Sequence, residues 1–554
     1  MDQAQQPTEV EGSDAPRDAL NQLIAQQPER HPLVLGFVGA IGTPWERILR
    51  EFNESLRRFD YSTSTIHLSK LIDDLDYRPW GDLPERGSPE YYERRMNAGD
   101  LLRVKTRNGS AMAALAVREI ITQRSARNDC SSVAFILRSL KHPDEVTLMR
   151  HVYGRAFFLV GIACSIDERR HVLAESLSHF AQSRADAERL IVRDESDPDN
   201  RELGQNVRDT YSMSDVFISG ATGVDVSSDI DRFIDSVFGA PFLTPTPHEE
   251  GMRFAHVASL RSAAASRQVG AALVPVSGTP FVAGTNEVPK PGGGQYWTSD
   301  SPDFRDFRTG RDPNKVYISW VVQDLLERLR DHDWLSDGFR IKGGLELVEL
   351  AFEAESSGSS VLGDARVAAL IEFTRCLHAE QATIINAARS GVITQGAVLY
   401  TTTFPCHECA KMIIGAGVIE VHYIEPYPKN LVNELFRDMI DVSPSVESAK
   451  GLVDGKVPFH QFLGISPQWY SEAFTAGERR VGDQLVDFDR RTSYPKTSGW
   501  SERGVREREV STDTAISRMI EQLATEEGRE LTVRTDEQGI DDRQEEAAGV
   551  GSGD

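Results

Sequence analysis

The chain has 554 residues, a formal net charge of −24 and five cysteines. That length exceeds what one hydrophobic core serves, so two or three domains are expected, and the sparse, odd cysteine count argues against a disulfide framework. The acidic balance argues against broad attraction to nucleic acid, no apolar run reaches the ~18 residues of a membrane span, and the start lacks a basic-then-apolar signal; a cytoplasmic protein without membrane association is expected.

Residues 1–30 are polar without apolar periodicity and read as a disordered arm. From residue 31 the pattern changes. The run 33–38 is a buried-strand candidate, followed by a glycine-rich turn and a helix with Ile48, Leu49 and Phe52 on one side. Further strands are expected at 62–69, 131–140 and 155–164, separated by helices such as 110–123 and 144–152. Alternation of this kind predicts a parallel α/β domain over 31–240. The proline-rich stretch 239–251 reads as a linker. A second α/β domain is expected over 250–480, with a helix at 252–267, strands in "QVGAALVPV" and "PFVAGTN", and an insertion at 298–370. A helix at 378–390, a strand at 397–404, a helix at 407–415 and a strand at 420–427 follow. Residues 495–554 are charged and read as a mobile tail, apart from a possible helix at 513–525.

Two of the five cysteines sit together in "FPCHECAKM" as Cys406 and Cys409, and "CLHAEQAT" upstream holds His378 and Glu380. His-x-Glu followed by Pro-Cys-x-x-Cys is the pattern of zinc-dependent base and nucleotide deaminases. A catalytic zinc needs three protein ligands and an open position. His378, Cys406 and Cys409 supply the three, and the i, i+3 spacing puts both sulfurs on one side of a helix start. Glu380 is then the proton shuttle. Cys376 lies two residues from His378, off the helix face of that ligand, and reads as a buried thiol.

The stretches "GTNEVPKPGGGQYW", "YTTTFPCHECAKMIIGAG" and "VHYIEPYPKN" resemble the bacterial anti-phage dCTP deaminases, within the deoxycytidylate branch of the cytidine deaminase superfamily. The resemblance runs over roughly residues 32–475. It implies an N-terminal P-loop kinase-like parallel-sheet domain joined to a C-terminal cytidine deaminase-like α/β/α domain. It also implies zinc-dependent conversion of dCTP and dCMP to dUTP and dUMP, depletion of a phage's dCTP pool, and control by an antitoxin RNA in some members. By the same resemblance, Asn286 reaches the sugar and base. Lys290 and the glycines at 292–294 lie where a triphosphate could be met by a cation and bare amides, and Tyr427 is a candidate to pack on the base. Ala382 departs from the branch's usual asparagine at that position. Editing of cytidine or adenosine in RNA or single-stranded DNA is the alternative, though it needs a basic, aromatic groove.

"GAIGTPWE" occupies the place of a phosphate-binding loop, with Gly39, Gly42 and Thr43 in its turn. Trp45 and Glu46 stand where lysine and hydroxyl should be. A capping box from Thr43 to Glu46, with Pro44 opening the helix, is expected instead, so the domain is read as a degenerate kinase. The insertion carries apolar residues at helical spacing (Tyr317, Trp320, Val321, Leu325), which predict a homo-oligomer.

Overall fold

The computed structural model describes residues 30–548 apart from 85–88, 128, 178–182, 196–201, 280, 354–359, 364, 426–430, 443–450 and 498–499, with the backbone alone for 527–548. The expected arm lies outside these residues except for Arg30, and Tyr427 lies outside them altogether.

Strand β1 (Leu33–Val38) is buried at every position, as a central parallel strand covered on both faces must be. It pairs in parallel with β3 (Val133–Arg138) and β4 (Phe157–Ala163). β2 (Ser62–His67) lies outside β3, where its polar "STSTIH" suits an edge, and β5 (Val216–Ser219) lies outside β4. Helices Trp45–Arg57 and Ser227–Val237 close one face through Phe52 and Phe233. Helices Ala111–Ser125 and Pro143–Tyr153 close the other through Val117 and Met149.

A second mixed sheet holds β6 (Gly270–Val274), β7 (Val282–Thr285), β8 (Val398–Thr403), β9 (Glu420–Glu425), β10 (Ile440–Asp441) and β11 (Val457–Gln461), in the order β10-β11-β9-β8-β6-β7. β6 runs antiparallel to β7 and β8, whereas β8, β9 and β11 are parallel. Helices Ala379–Ser390 and His407–Gly415 cover one face, sharing a core with Leu399, Val421 and Tyr423. Helix Pro247–Ser259 covers the other through Met252 and Ala255.

The order and extent of the elements depart from expectation in three places. The 239–251 stretch is not all linker: Thr246 caps the helix Pro247–Ser259 in a box with Glu249, so that helix starts earlier and ends earlier than its apolar periodicity indicated. After β11 the chain enters the first sheet as β12 (Gly464–Ile465), antiparallel to β5. The charged stretch from 495 carries the helix Glu502–Ala548. Val505 and Ile516 are buried there, and Arg124 reaches Glu509 at 3.0 Å while Arg118 reaches Asp513 at 2.7 Å. Its apolar stripe is thin, and Glu509 and Asp513 on that side are matched by arginines of a neighbouring helix. Among the described residues no helix is long and apolar enough to cross a membrane.

Candidate metal centre

His378 is the N-cap of helix Ala379–Ser390, and its backbone N–H donates to Oε1 of Gln381 at 3.1 Å. The preceding residue, Leu377, is zippered to Glu287 by hydrogen bonds of 3.1 and 3.3 Å. This bridge fixes where the helix begins. β8 then carries the chain to Cys406, the N-cap of helix His407–Gly415, with Cys409 in its first turn. The two helix starts therefore meet at the end of β8.

Nδ1 of His378 lies 3.2 Å from Sγ of Cys406 and 3.4 Å from Sγ of Cys409. Tetrahedral zinc with bonds of ~2.3 Å to sulfur and ~2.0 Å to nitrogen implies ligand separations of about 3.5 Å. The three donors thus fit the ion without rearrangement, and their types are those zinc takes. Cys406 and Cys409 are both buried. Hydrogen bonding from the Cys409 thiol, and then the His378 imidazole, lowers the Cys406 thiol well below its ordinary range. Burial pushes the Cys409 thiol up.

Glu380 is buried and stands beside this trio without being part of it. Its Oε2 accepts from Cys409 Sγ at 3.3 Å, and its Oε1 accepts from the Thr401 hydroxyl at 3.3 Å. Burial, and then the Cys406 charge, raise its carboxyl above the ordinary value. A carboxyl of raised proton affinity, next to an open coordination position, can take up a proton and hand it on.

The remaining sequence-derived residues have partners of their own. Asn286 precedes Glu287 of the bridge, and its amide is occupied at both ends: Oδ1 accepts from Val269 N–H and Nδ2 donates to the Arg267 carbonyl, each at 2.7 Å. As found, Asn286 ties down the segment entering β6. Lys290 is ion-paired with Asp300. The glycines at 292–294 all have positive φ, so the turn does need glycine there, and a Cβ at Gly293 would meet the Arg389 guanidinium at 2.9 Å. Arg389 is a cation at this loop that the sequence reading missed, since it lies almost a hundred residues away in sequence. Thr401 was missed too, because nothing in "TTTF" marks which threonine faces the carboxylate. Cys376 is held by Asp306 at 3.8 Å, and burial pushes its thiol up to about 12; it stays outside the trio, as expected.

At the carboxyl ends of β1, β2 and β3 lies a cleft of about 1100 Å³ whose lining includes Thr43, Trp45, Lys70, Arg95 and Arg138. The expected capping box is absent. The N-cap is Pro44 with no side-chain cap, the Thr43 hydroxyl turns back to the Ala40 carbonyl at 2.6 Å, and Glu46 reaches out to Arg138 at 3.8 Å. Arg47 donates to the Ala221 carbonyl at 2.8 Å and so is engaged away from the turn.

Comparison with known proteins centres on this second half. Residues 245–425 match the family model described as the cytidine and deoxycytidylate deaminase zinc-binding region. The ComE operon protein 2 of Bacillus subtilis (strain 168) is 39% identical over 83 residues, 15% of this chain and 44% of that protein. The deoxycytidylate deaminase of Enterobacteria phage T4 is 44% identical over 54 residues, 10% of this chain and 28% of that protein. The chain thus spans less than half the length of these curated relatives. The dCMP deaminase of cyanophage S-TIM5, solved in apo form, aligns over 39% of this chain and 99% of its own at 18% identity, with a TM-score of 0.20. The matched region contains His378, Glu380, Cys406 and Cys409.

Proposed function

We propose that the protein is a zinc-dependent hydrolase that removes the 4-amino group of deoxycytidine nucleotides. One observation carries the reading: the buried Glu380 carboxyl lies 3.3 Å from Cys409 Sγ, beside the His378–Cys406–Cys409 cluster, yet is not one of its members. A purely structural zinc site has no use for a buried carboxylate in that place.

His378, Cys406 and Cys409 would hold zinc, which supplies a Lewis acid that makes a water acidic at neutral pH. Glu380 takes a proton from the attacking water as its oxygen bonds to C4, and passes that proton to N3. A second proton, delivered through the same carboxyl, goes to the amine as the C4–N bond breaks. One water is consumed and one ammonia leaves, with no redox change. Thr401 orients the carboxyl throughout by its hydrogen bond to Oε1.

The family match and the deoxycytidylate deaminases among the relatives support deoxycytidine nucleotides as the substrate class. The resemblance to anti-phage dCTP deaminases extends this to dCTP as well as dCMP. It likewise supports dCTP depletion as defence in the cytoplasm, and an inhibitory RNA as a partner. The N-terminal domain is proposed as a degenerate kinase-like unit that supports the deaminase. Exposure of Tyr317 (51%), Trp320 (63%) and Leu325 (52%) on helix Pro313–Asp331 supports a homo-oligomer built on the insertion; a monomeric mass by light scattering at micromolar protein would overturn it.

Chromatography after incubation with dCMP, dCTP and cytosine-containing oligonucleotides tests the main reading, with zinc measured on the same sample. Conversion of the free nucleotides supports it. Zinc-replete protein that leaves both untouched, or that converts only the oligonucleotides, defeats it.

A further inference from the structure

We propose that His248, His422 and Glu420 form a second divalent-metal site, on the face of the C-terminal sheet opposite the His378–Cys406–Cys409 centre. It stands independently of the deaminase reading.

Strand alternation places it there. Val421 and Tyr423 of β9 share a core with Cys406 and Cys409, so His422 between them faces the other side. On that side the register aligns Tyr400 of β8 and His460 of β11 with His422. The rings form a row, with Tyr400 and His422 centroids 5.2 Å apart and those of His422 and His460 5.3 Å apart. Helix Pro247–Ser259 lays His248 across this row, with its ring 4.3 Å from that of His422. Glu420, two residues before His422 and so on the same face, approaches it with Oε1 2.6 Å from Nε2. One donor atom from each of His248, Glu420 and His422 lies within 4.8 Å of the other two.

The chemistry suits a borderline divalent ion, zinc foremost. Two imidazoles and one carboxylate are three nitrogen and oxygen donors, enough to hold the ion and leave a position for water or a fourth side chain. Separations around such an ion are about 3.3 Å for bonds of ~2.0 to 2.1 Å. The His422–Glu420 contact opens slightly and the wider pairs close slightly, well within side-chain rotation. The Tyr400 hydroxyl, 3.0 Å from Nδ1 of His248, orients that ring from outside, the role outer hydrogen bonds play at metal sites. Glu420 and His422 are 6% and 8% exposed, so this is not a solvated surface cluster. The same face also holds Tyr400, Ile424 and Phe462 in one core with Tyr211 and Phe217 of the first domain. An ion here would fasten helix Pro247–Ser259 to β9 where the two domains meet.

The test is metal stoichiometry on the full chain, chelated and then dialysed against micromolar zinc, or against cobalt(II) as a spectroscopic probe. Wild type is expected to hold two equivalents. Glu420→Gln and, separately, His248→Asn at the less buried position should each hold one, keeping the thiolate-to-cobalt charge-transfer absorption of the cysteine site. Cys406→Ala with Cys409→Ala should also hold one, without that absorption. Wild type holding a single equivalent, or loss of all metal in the double cysteine variant, overturns the proposal. Two equivalents retained in both Glu420→Gln and His248→Asn would place the second ion elsewhere and equally overturn it.

Discussion

The carboxylate of Asp194 sits against the 39–43 turn, accepting a 2.6 Å hydrogen bond from the backbone N–H of Ile41 and a 2.8 Å hydrogen bond from Nζ of Lys141. Asp194 is fully buried. A phosphate-binding loop aims its free amides at an anion brought by the ligand; here the anion belongs to the chain. Lys141, which also donates to the Gly39 carbonyl at 3.1 Å, neutralises that carboxylate instead of a phosphate. At Gly42 (φ +89), a Cβ would collide with the backbone of Arg169 at 2.6 Å, so a second helix covers the turn. We predict no magnesium-dependent phosphate release from ATP or GTP and no phosphorylation of nucleosides. Release abolished by substitution at Gly39 or Gly42 would contradict this. Asp194→Ala should lower stability by about 2 to 4 kcal/mol, because it leaves Lys141 and the Ile41 amide without their anion; urea unfolding measures it.

Metal binding and chemistry should separate at Glu380. Glu380→Gln is expected to retain wild-type zinc while kcat falls by about 10² to 10⁴, the usual range for losing a general acid–base group. Cys406→Ala should lose zinc and stability together. Equal zinc loss in both variants would show that the roles are misassigned. Thr401→Val removes the hydroxyl shared between Oε1 of Glu380 at 3.3 Å and the Thr403 carbonyl at 3.1 Å and should cost about 1 kcal/mol in the transition state, seen as a several-fold drop in kcat at unchanged zinc content.

The His378–Cys406–Cys409 cluster was legible because its residue types and spacing are those a zinc site requires, whatever surrounds them. Strands such as Leu33–Val38 were legible because a run buried on both faces must be apolar throughout. What escaped was long-range and polar. Asp194 and Ile41 are 153 positions apart, and nothing in a lone aspartate announces its amide partner. β12 is two residues long, too short to carry a period. Thr246-Pro247 with Glu249 was a readable capping box, but the surrounding prolines suggested a linker. Asn286 was named by the resemblance alone, and its engagement with the backbone at Arg267 and Val269 appears only in the fold.

Gly284 should prove sensitive for a reason unrelated to chemistry. It lies in β7 beneath helix Ala379–Ser390, where a Cβ would stand 2.5 Å from N of Thr383 and 2.9 Å from O of Ala379. Both are backbone atoms of the turn that carries Glu380, so the helix start must shift. Gly284→Ala is expected to cost about 1 to 3 kcal/mol, as overpacking does, and to speed zinc loss to a chelator. Gly338→Ala, with nothing within 4 Å of the added carbon, is the control and should change neither. Matching chelation rates for Gly284→Ala and wild type would contradict the argument.

The second half should not stand alone. Ile465 of β12 pairs with Val216 of β5, and its N–H donates to Oε1 of Glu249 at 2.9 Å. Glu249 is 1% exposed and is neutralised by Arg232 from the first domain at 2.6 Å. Trp469 packs edge-on against Phe158 at 5.1 Å and donates to the Ser236 hydroxyl at 3.3 Å. Phe462 lies against Phe217 at 5.9 Å. A fragment beginning at Thr244 would expose all three apolar side chains, at about 1.5 to 3 kcal/mol each, and leave the Glu249 carboxylate without its guanidinium. We predict that this fragment binds a hydrophobic dye, unfolds at lower denaturant than the whole chain and loses deaminase activity. Coexpression with residues 30–243 should restore a soluble complex, because the lost contacts are non-covalent. A dye-silent fragment with full activity would show that the shared strand and the Arg232–Glu249 pair are dispensable.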